Sequence, residues 1–144
     1  MSFYRAILCT ALLLGASFSA LGQSTVGELL EKGGKKLLKE DYAALVPFRN
    51  VYQWPNRQGE GDLVFAADGT LSGSEYHNSS RSTSPATGTW VVDENGKSCI
   101  KKFMQLWNTR TDQCWYGWKL GEDYYGSLGD DKDAKVMKSK WTKQ

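Results

Sequence analysis

Apolar and polar residues recur with two different periods along this chain, and the change falls at Pro47. From residue 24 to 46 the spacing is helical. Leu29 and Leu30 open an apolar stripe, Gly33-Gly34 interrupts it, and Leu37, Leu38, Tyr42, Leu45 and Val46 resume it. Lys and Glu fill the opposite face, and Thr25 and Glu28 stand at the spacing of a capping box. This pattern predicts one or two short helices docked on a sheet by their apolar stripe.

After Pro47 the apolar positions alternate in short runs broken by regular turn signals, the signature of an antiparallel β-domain. Residues 50–54 form a candidate first strand, followed by a loop over 55–61. Asp68-Gly69 centres a predicted hairpin within 62–76. The polar, turn-rich run 77–87 reads as a surface loop. A second hairpin over 88–103 centres on Asn95-Gly96, and 107–112 is a further connection. A third hairpin over 113–128 turns at Gly121. Residues 134–141 are expected to form a last strand at an edge, where lysines oppose aggregation. The fold class is therefore mainly β: a small antiparallel sheet or barrel-like domain with one or two short N-terminal helices.

Register assigns faces within these hairpins. A two-residue turn at Asn95-Gly96 would pair Val92 with Cys99 and Trp90 with Lys101. Alternation along 114–120 sets Cys114, Tyr116, Trp118 and Leu120 on one face, and Trp115, Gly117 and Lys119 on the other. If Cys99 and Cys114 are bonded, the inner face holds Trp90, Val92, Tyr116, Trp118 and Leu120. A turn at Gly121-Glu122 sets Trp118 opposite Tyr125. Trp115 is then either an exposed interaction residue or a residue packed beneath the N-terminal helix.

The first residues stand apart from this pattern. Arg5, a short apolar run and the small residues of "SFSALGQ" have the three-part layout of a secretory signal peptide, with cleavage expected after Gly22. The run is shorter than the about 20 apolar residues that span a bilayer. The expected organisation is a signal peptide at 1–22 and a single β-rich domain at 23–144, helical over 23–47 and stranded over 48–141. Cleavage removes Arg5 from the 18 basic residues and none of the 16 acidic ones. A charge so close to balance supplies no field for nucleic acid or membrane. Cleavage leaves two cysteines, Cys99 and Cys114, and export makes a disulfide the default for such a pair. Periplasmic or secreted localisation follows, with no stable membrane insertion.

The chain carries few chemical motifs. His77, the only histidine, lies in a polar run and reads as an ordinary loop residue. Two cysteines and one histidine do not complete a tetrahedral metal set, so neither metal nor cofactor is expected. No nucleophile elbow, zinc-protease or phosphate-loop pattern occurs. Glu60, Asp62, Glu75, Glu122 and Asp123 could supply the two carboxylates of a glycosidase, but all fall in or beside predicted turns.

Asp68, Gly69, Gly73, Gly88, Trp90, Gly96, Cys99, Cys114 and Tyr124 form an ordered series between about residues 37 and 128. In this series the chain resembles a family of small exported proteobacterial proteins that share a domain of unknown function. The resemblance implies export and a fold, not an activity. "ADGTLSG" and "GTW" are also similar to pieces of calycin and avidin-type barrels, although "GTW" normally opens such barrels and here comes midway.

The expected function is a non-enzymatic binding or structural protein of the cell envelope. Its partner would be an envelope or secreted protein, a glycan or a small apolar ligand, with no role for nucleic acid. Candidate contact residues are Trp115, Lys119, Trp54 and Tyr76. The alternatives are an inhibitor or immunity protein against an exported enzyme, and a carboxylate-dependent glycan hydrolase.

Overall fold

Thr25 caps the first helix, α1 (Val26–Glu31), by accepting the amide of Glu28 at 3.2 Å. The Glu28 carboxylate closes back on Ser24, whose amide donates to it at 2.7 Å, one residue earlier than a capping box requires. Gly33, at φ +88°, turns the chain into a two-residue strand, β1 (Lys35–Lys36), and then α2 (Lys39–Leu45). The computed structural model describes residues 24–144, so the expected signal peptide at 1–22 lies outside the described residues.

Eight further strands follow: β2 (Phe48–Gln53), β3 (Gly59–Phe65), β4 (Thr70–His77), β5 (Ser82–Val92), β6 (Lys97–Met104), β7 (Thr109–Leu120), β8 (Asp123–Ser127) and β9 (Val136–Lys143). Each pairs antiparallel with the next, and β9 returns to pair with β2, closing an up-and-down barrel. β1 adds a short pairing to β7. The mainly β class with two short N-terminal helices is thus the observed one. The last strand is not at an edge: β9 is bonded on both sides, and Lys138 and Lys140 alternate with the inward Ser139 and Trp141. Its ladder with β2 covers only residues 48–51 against 140–143, so the first half of β9 has no partner on that side.

The run 77–87 is also corrected. Only 78–81 is a loop; Ser82–Thr87 belongs to β5, where the small residues Ser84 and Ala86 are buried. Its polar composition reflects small inward side chains on a twisted strand rather than a loop.

The β5–β6 turn decides the largest correction. The Asp93 amide donates to the Lys97 carbonyl at 3.0 Å, Gly96 sits at φ +79°, and the Asp93 carboxylate accepts the amides of Asn95 and Lys97. This is a three-residue loop with a glycine in the left-handed region, not a two-residue turn. Trp90 therefore pairs with Ile100, Val91 with Cys99 and Val92 with Ser98. The one-residue shift puts Cys99 outside with the exposed Val91 and brings Lys102, not Lys101, inside.

The Cys99–Cys114 disulfide is present, joining residues directly opposite on β6 and β7 with Cα atoms 4.0 Å apart. The bond forms on the outer face, so every β7 side chain has the parity opposite to that expected. Trp118 does lie opposite Tyr125. Both point outward and are buried beneath α1, in a cluster with Val26, Leu29 and Val136. Backbone bonds from Val26 to Ala134 and from Gly27 to Lys132 hold α1 there.

The main core lies inside the barrel. Phe48, Phe65 and Trp90 pack with Tyr42 of α2, which closes that end with Leu37. Gly117 makes room for the plug: a Cβ there would stand 2.3 Å from the Tyr42 hydroxyl oxygen. Burial among these rings pushes the Tyr42 phenol well above its ordinary range.

Candidate functional site: the barrel cavity

Beyond the plug the barrel is not filled. A cavity of about 930 Å³ runs between β2, β6, β7, β8 and β9 toward the β2–β3 and β8–β9 loops. Its size is that of a small-molecule site. Tyr52, Trp54, Trp115 and Trp141 supply aromatic wall, and Met104 and Met137 supply flexible apolar surface. Asn50, Lys102, Thr111, Gln113 and Ser139 are polar positions on its strand walls, and Asn56, Asp131 and Lys135 border it from the loops. Gln53, Lys138 and Ser139 border it where β2 and β9 part company.

These side chains meet because β-strands alternate. Asn50 and Tyr52 share the inward parity of Phe48 on β2, Lys102 and Met104 that of Ile100 on β6, and Glu75 that of Leu71 on β4. Gly61 on β3 lets the Tyr52 ring lie against the wall, since a Cβ there would stand 2.4 Å from it.

One wall carries a buried polar cluster. The Glu75 side chain has no solvent exposure, and its carboxylate accepts from the Tyr52 hydroxyl at 2.6 Å, from the Trp54 indole N–H and from the Lys102 ammonium. Lys102 also donates to the Tyr52 oxygen at 2.9 Å and lies 5.6 Å from the centre of its ring. Lys102 borders the cavity, whereas Glu75 lies behind it. Burial, and secondly the charge of Glu75, hold the Tyr52 phenol well above its ordinary range. The cluster cancels its own charge and uses both carboxylate oxygens.

Among the described residues three other buried polar atoms have no partner, and one of them, the Tyr42 hydroxyl oxygen, lies in the plug. Asn50 is 5 % exposed, and neither its Oδ1 nor the Thr111 Oγ1 has a hydrogen-bond partner. Both residues border the cavity. A buried polar atom without a partner costs free energy, and all three of these oxygens are enclosed by protein.

The four sequence candidates separate. Trp115 is neither exposed nor beneath the helix; it lines the cavity, edge-on to Tyr52 at 5.8 Å. Trp118 is the tryptophan that packs under α1. Trp54 stands at the cavity end near His77 and Trp107, with ring centres 5.4 and 6.3 Å away. Lys119 lies over the Tyr124 ring, outside the cavity lining. Tyr76 pairs with Glu60 and takes the parity opposite to Glu75, away from the cavity.

Sequence reasoning missed Asn50, Lys102, Thr111 and Gln113 as site residues and placed Glu75 beside a turn. One signal was available: Glu75 stands at even spacing from Leu71 within a run called a strand. The inward lysine was anticipated too, displaced by one residue. Among the described residues no group of three or more His, Cys, Asp and Glu side chains is arranged to hold a metal ion. Comparison with family models, with curated proteins and with solved structures found no match to this chain.

Proposed function

We propose that this chain is an exported, non-enzymatic binding protein that holds a small, mainly apolar molecule inside its barrel. The observation that carries the proposal is the aromatic-walled cavity inside the barrel. The disulfide fits an oxidising compartment, which supports the periplasm or the medium as its location.

The inhibitor reading rested on an exposed Trp115, and that ring faces inward. The glycan-hydrolase reading needs two carboxylates facing across a cleft. Glu75 is committed to three donors, while Glu60, Glu122 and Asp123 border an adjoining crevice that shares Tyr52, Lys138 and Trp141 with the cavity, and Asp123 there is paired with Lys138.

Gly126 offers the cleanest test. It borders the cavity, and a Cβ built on it meets nothing within 4 Å. Gly126→Leu should intrude on the cavity without disturbing the fold. Native mass spectrometry and thermal shift against envelope extracts and an apolar compound panel should show ligands for the parent chain and weaker binding of the same ligands to Gly126→Leu. A ligand that shifts both equally binds elsewhere, and that result rejects the cavity as the site.

A further inference from the structure

The seam where the barrel closes is incomplete. The ladder between β2 and β9 ends at Val51 and Lys140. Beyond it β2 runs on to Gln53 bonded to β3, and β9 begins at Val136 bonded to β8. The Ser24 carbonyl takes the Val136 amide at 3.2 Å, which leaves Met137, Lys138 and Ser139 with no strand across the seam among the described residues. Parting strands across a ladder breaks hydrogen bonds worth about 1 kcal/mol each. Parting β2 from Met137–Ser139 breaks none of them.

The crevice outside this seam and the cavity inside it share Tyr52, Gln53, Lys138, Ser139 and Trp141. The outward Lys138 and Lys140 and the inward Ser139 and Trp141 all line that crevice. A groove lying on a sheet touches side chains of one parity; a groove that touches both parities passes between strands. The two ends of the barrel are obstructed: Tyr42 and Leu37 close one, and at the other Trp54 stands against His77 and Trp107. The inner frame of the seam is fixed. Tyr52 donates to Glu75 at 2.6 Å, and Trp141 lies between Phe48 and Tyr124, ring centres 4.6 and 4.8 Å away, with its indole on the Ser139 hydroxyl. The outer groups are looser. Lys138 is exposed, and its ion pair with Asp123 at 2.8 Å is a surface contact that yields readily. We infer that the seam between β2 and β9 is the portal of the cavity. A slender apolar molecule enters from the side, between Tyr52–Gln53 and Lys138–Ser139, with the Lys138 side chain as the movable cover. The portal rests on the cavity reading and adds the route to it.

A portal is a barrier rather than a contact, so it sets the rates in both directions and leaves affinity alone. The test staples the seam after folding, on the disulfide-bonded chain lacking residues 1–22. Gln53→Cys with Lys138→Cys is joined by a short bismaleimide. Asn56→Cys with Asp131→Cys, on the loops at the cavity end, is the control, and all four positions are exposed. Binding of 1-aminoanthracene, an uncharged fluorescent probe, is followed by stopped flow. The seam staple should slow association and dissociation by about tenfold or more, with Kd kept within about threefold. The loop staple should leave both rates within about threefold. Lys138→Ala, which needs no cross-link, should raise both rates by about twofold or more. Rates unchanged by the seam staple, or slowed by the loop staple as well or instead, would overturn the portal while leaving the cavity as the binding site. A seam staple that weakens binding at equilibrium would make the seam part of the site and also overturn it, as would a Lys138→Ala chain with unchanged rates. If the probe binds neither the parent chain nor any variant, the cavity reading itself falls, and the portal with it.

Discussion

Lys102→Met tests the buried cluster most directly. The substitution keeps the apolar stem and deletes the ammonium, leaving the Glu75 carboxylate fully enclosed. Removing one partner of a buried ion pair costs about 3–5 kcal/mol, because the survivor stays charged and out of water. Two donors remain on Glu75, the Tyr52 hydroxyl at 2.6 Å and the Trp54 indole, and they hold the loss near the lower end of that range. The expected destabilisation is about 3 kcal/mol, a large share of the about 5–15 kcal/mol that stabilises a domain. For a domain of this size that lowers the thermal midpoint by about 10 °C. The mirror change, Glu75→Gln, should cost clearly less. Its amide oxygen can still accept from the Trp54 indole while its NH2 donates to the Tyr52 oxygen, and the orphaned Lys102 borders the cavity, where water can reach it. Urea unfolding followed by tryptophan fluorescence, disulfide intact, measures both. A Lys102→Met loss below about 1 kcal/mol, or a larger loss in Glu75→Gln, would refute the account of which charge is trapped.

Other consequences are as specific. Tyr42 and Tyr52 have folded-state phenols raised by burial, so the fold favours their neutral forms. Their contribution is complete below the unfolded phenol value of about 10 and is lost as pH rises through the folded values. The urea midpoint should therefore fall from about pH 10 upward, and less steeply in Tyr42→Phe; identical slopes would contradict it. The Cys99–Cys114 bond closes a sequence separation of 15, worth about 3 kcal/mol of loop-closure entropy. The double serine variant should lose about that much in urea unfolding, and a thiol assay on denatured, unreduced chain lacking residues 1–22 should read zero. Gly117→Ala would push a methyl against the Tyr42 hydroxyl and should cost about 1–3 kcal/mol, relieved when Tyr42→Phe is added. A cost that Tyr42→Phe leaves unchanged would place the strain elsewhere.

Much of this molecule is written locally in its chain. The helical stripe after Thr25, the stop at Pro47, the glycines at positive φ in turns such as Gly69, Gly96 and Gly121, and the period of two in the strands are all short-range. Each depends on the conformational preference of a residue and its immediate neighbours, so each is legible without a fold. The cysteine pair was legible too, since only one pairing was open to it after residue 22.

What the local pattern could not decide was which side is in. A loop of three residues rather than two at Asp93–Lys97 inverts every side chain beyond it. Trp115 therefore reached the cavity, and Trp118 the underside of α1. The site is less local still. Asn50, Glu75, Lys102 and Thr111 come from four strands, and no spacing in sequence links them. Their charges and bonds acquire meaning only when β9 closes on β2 and turns four inward faces toward one space. The sequence by itself determined the helical start, most strands, the places of most turns and the disulfide, because those depend on neighbours along the chain. Only the closed barrel decided the faces and the site, because register and closure are long-range properties, set by how all eight strands fit at once.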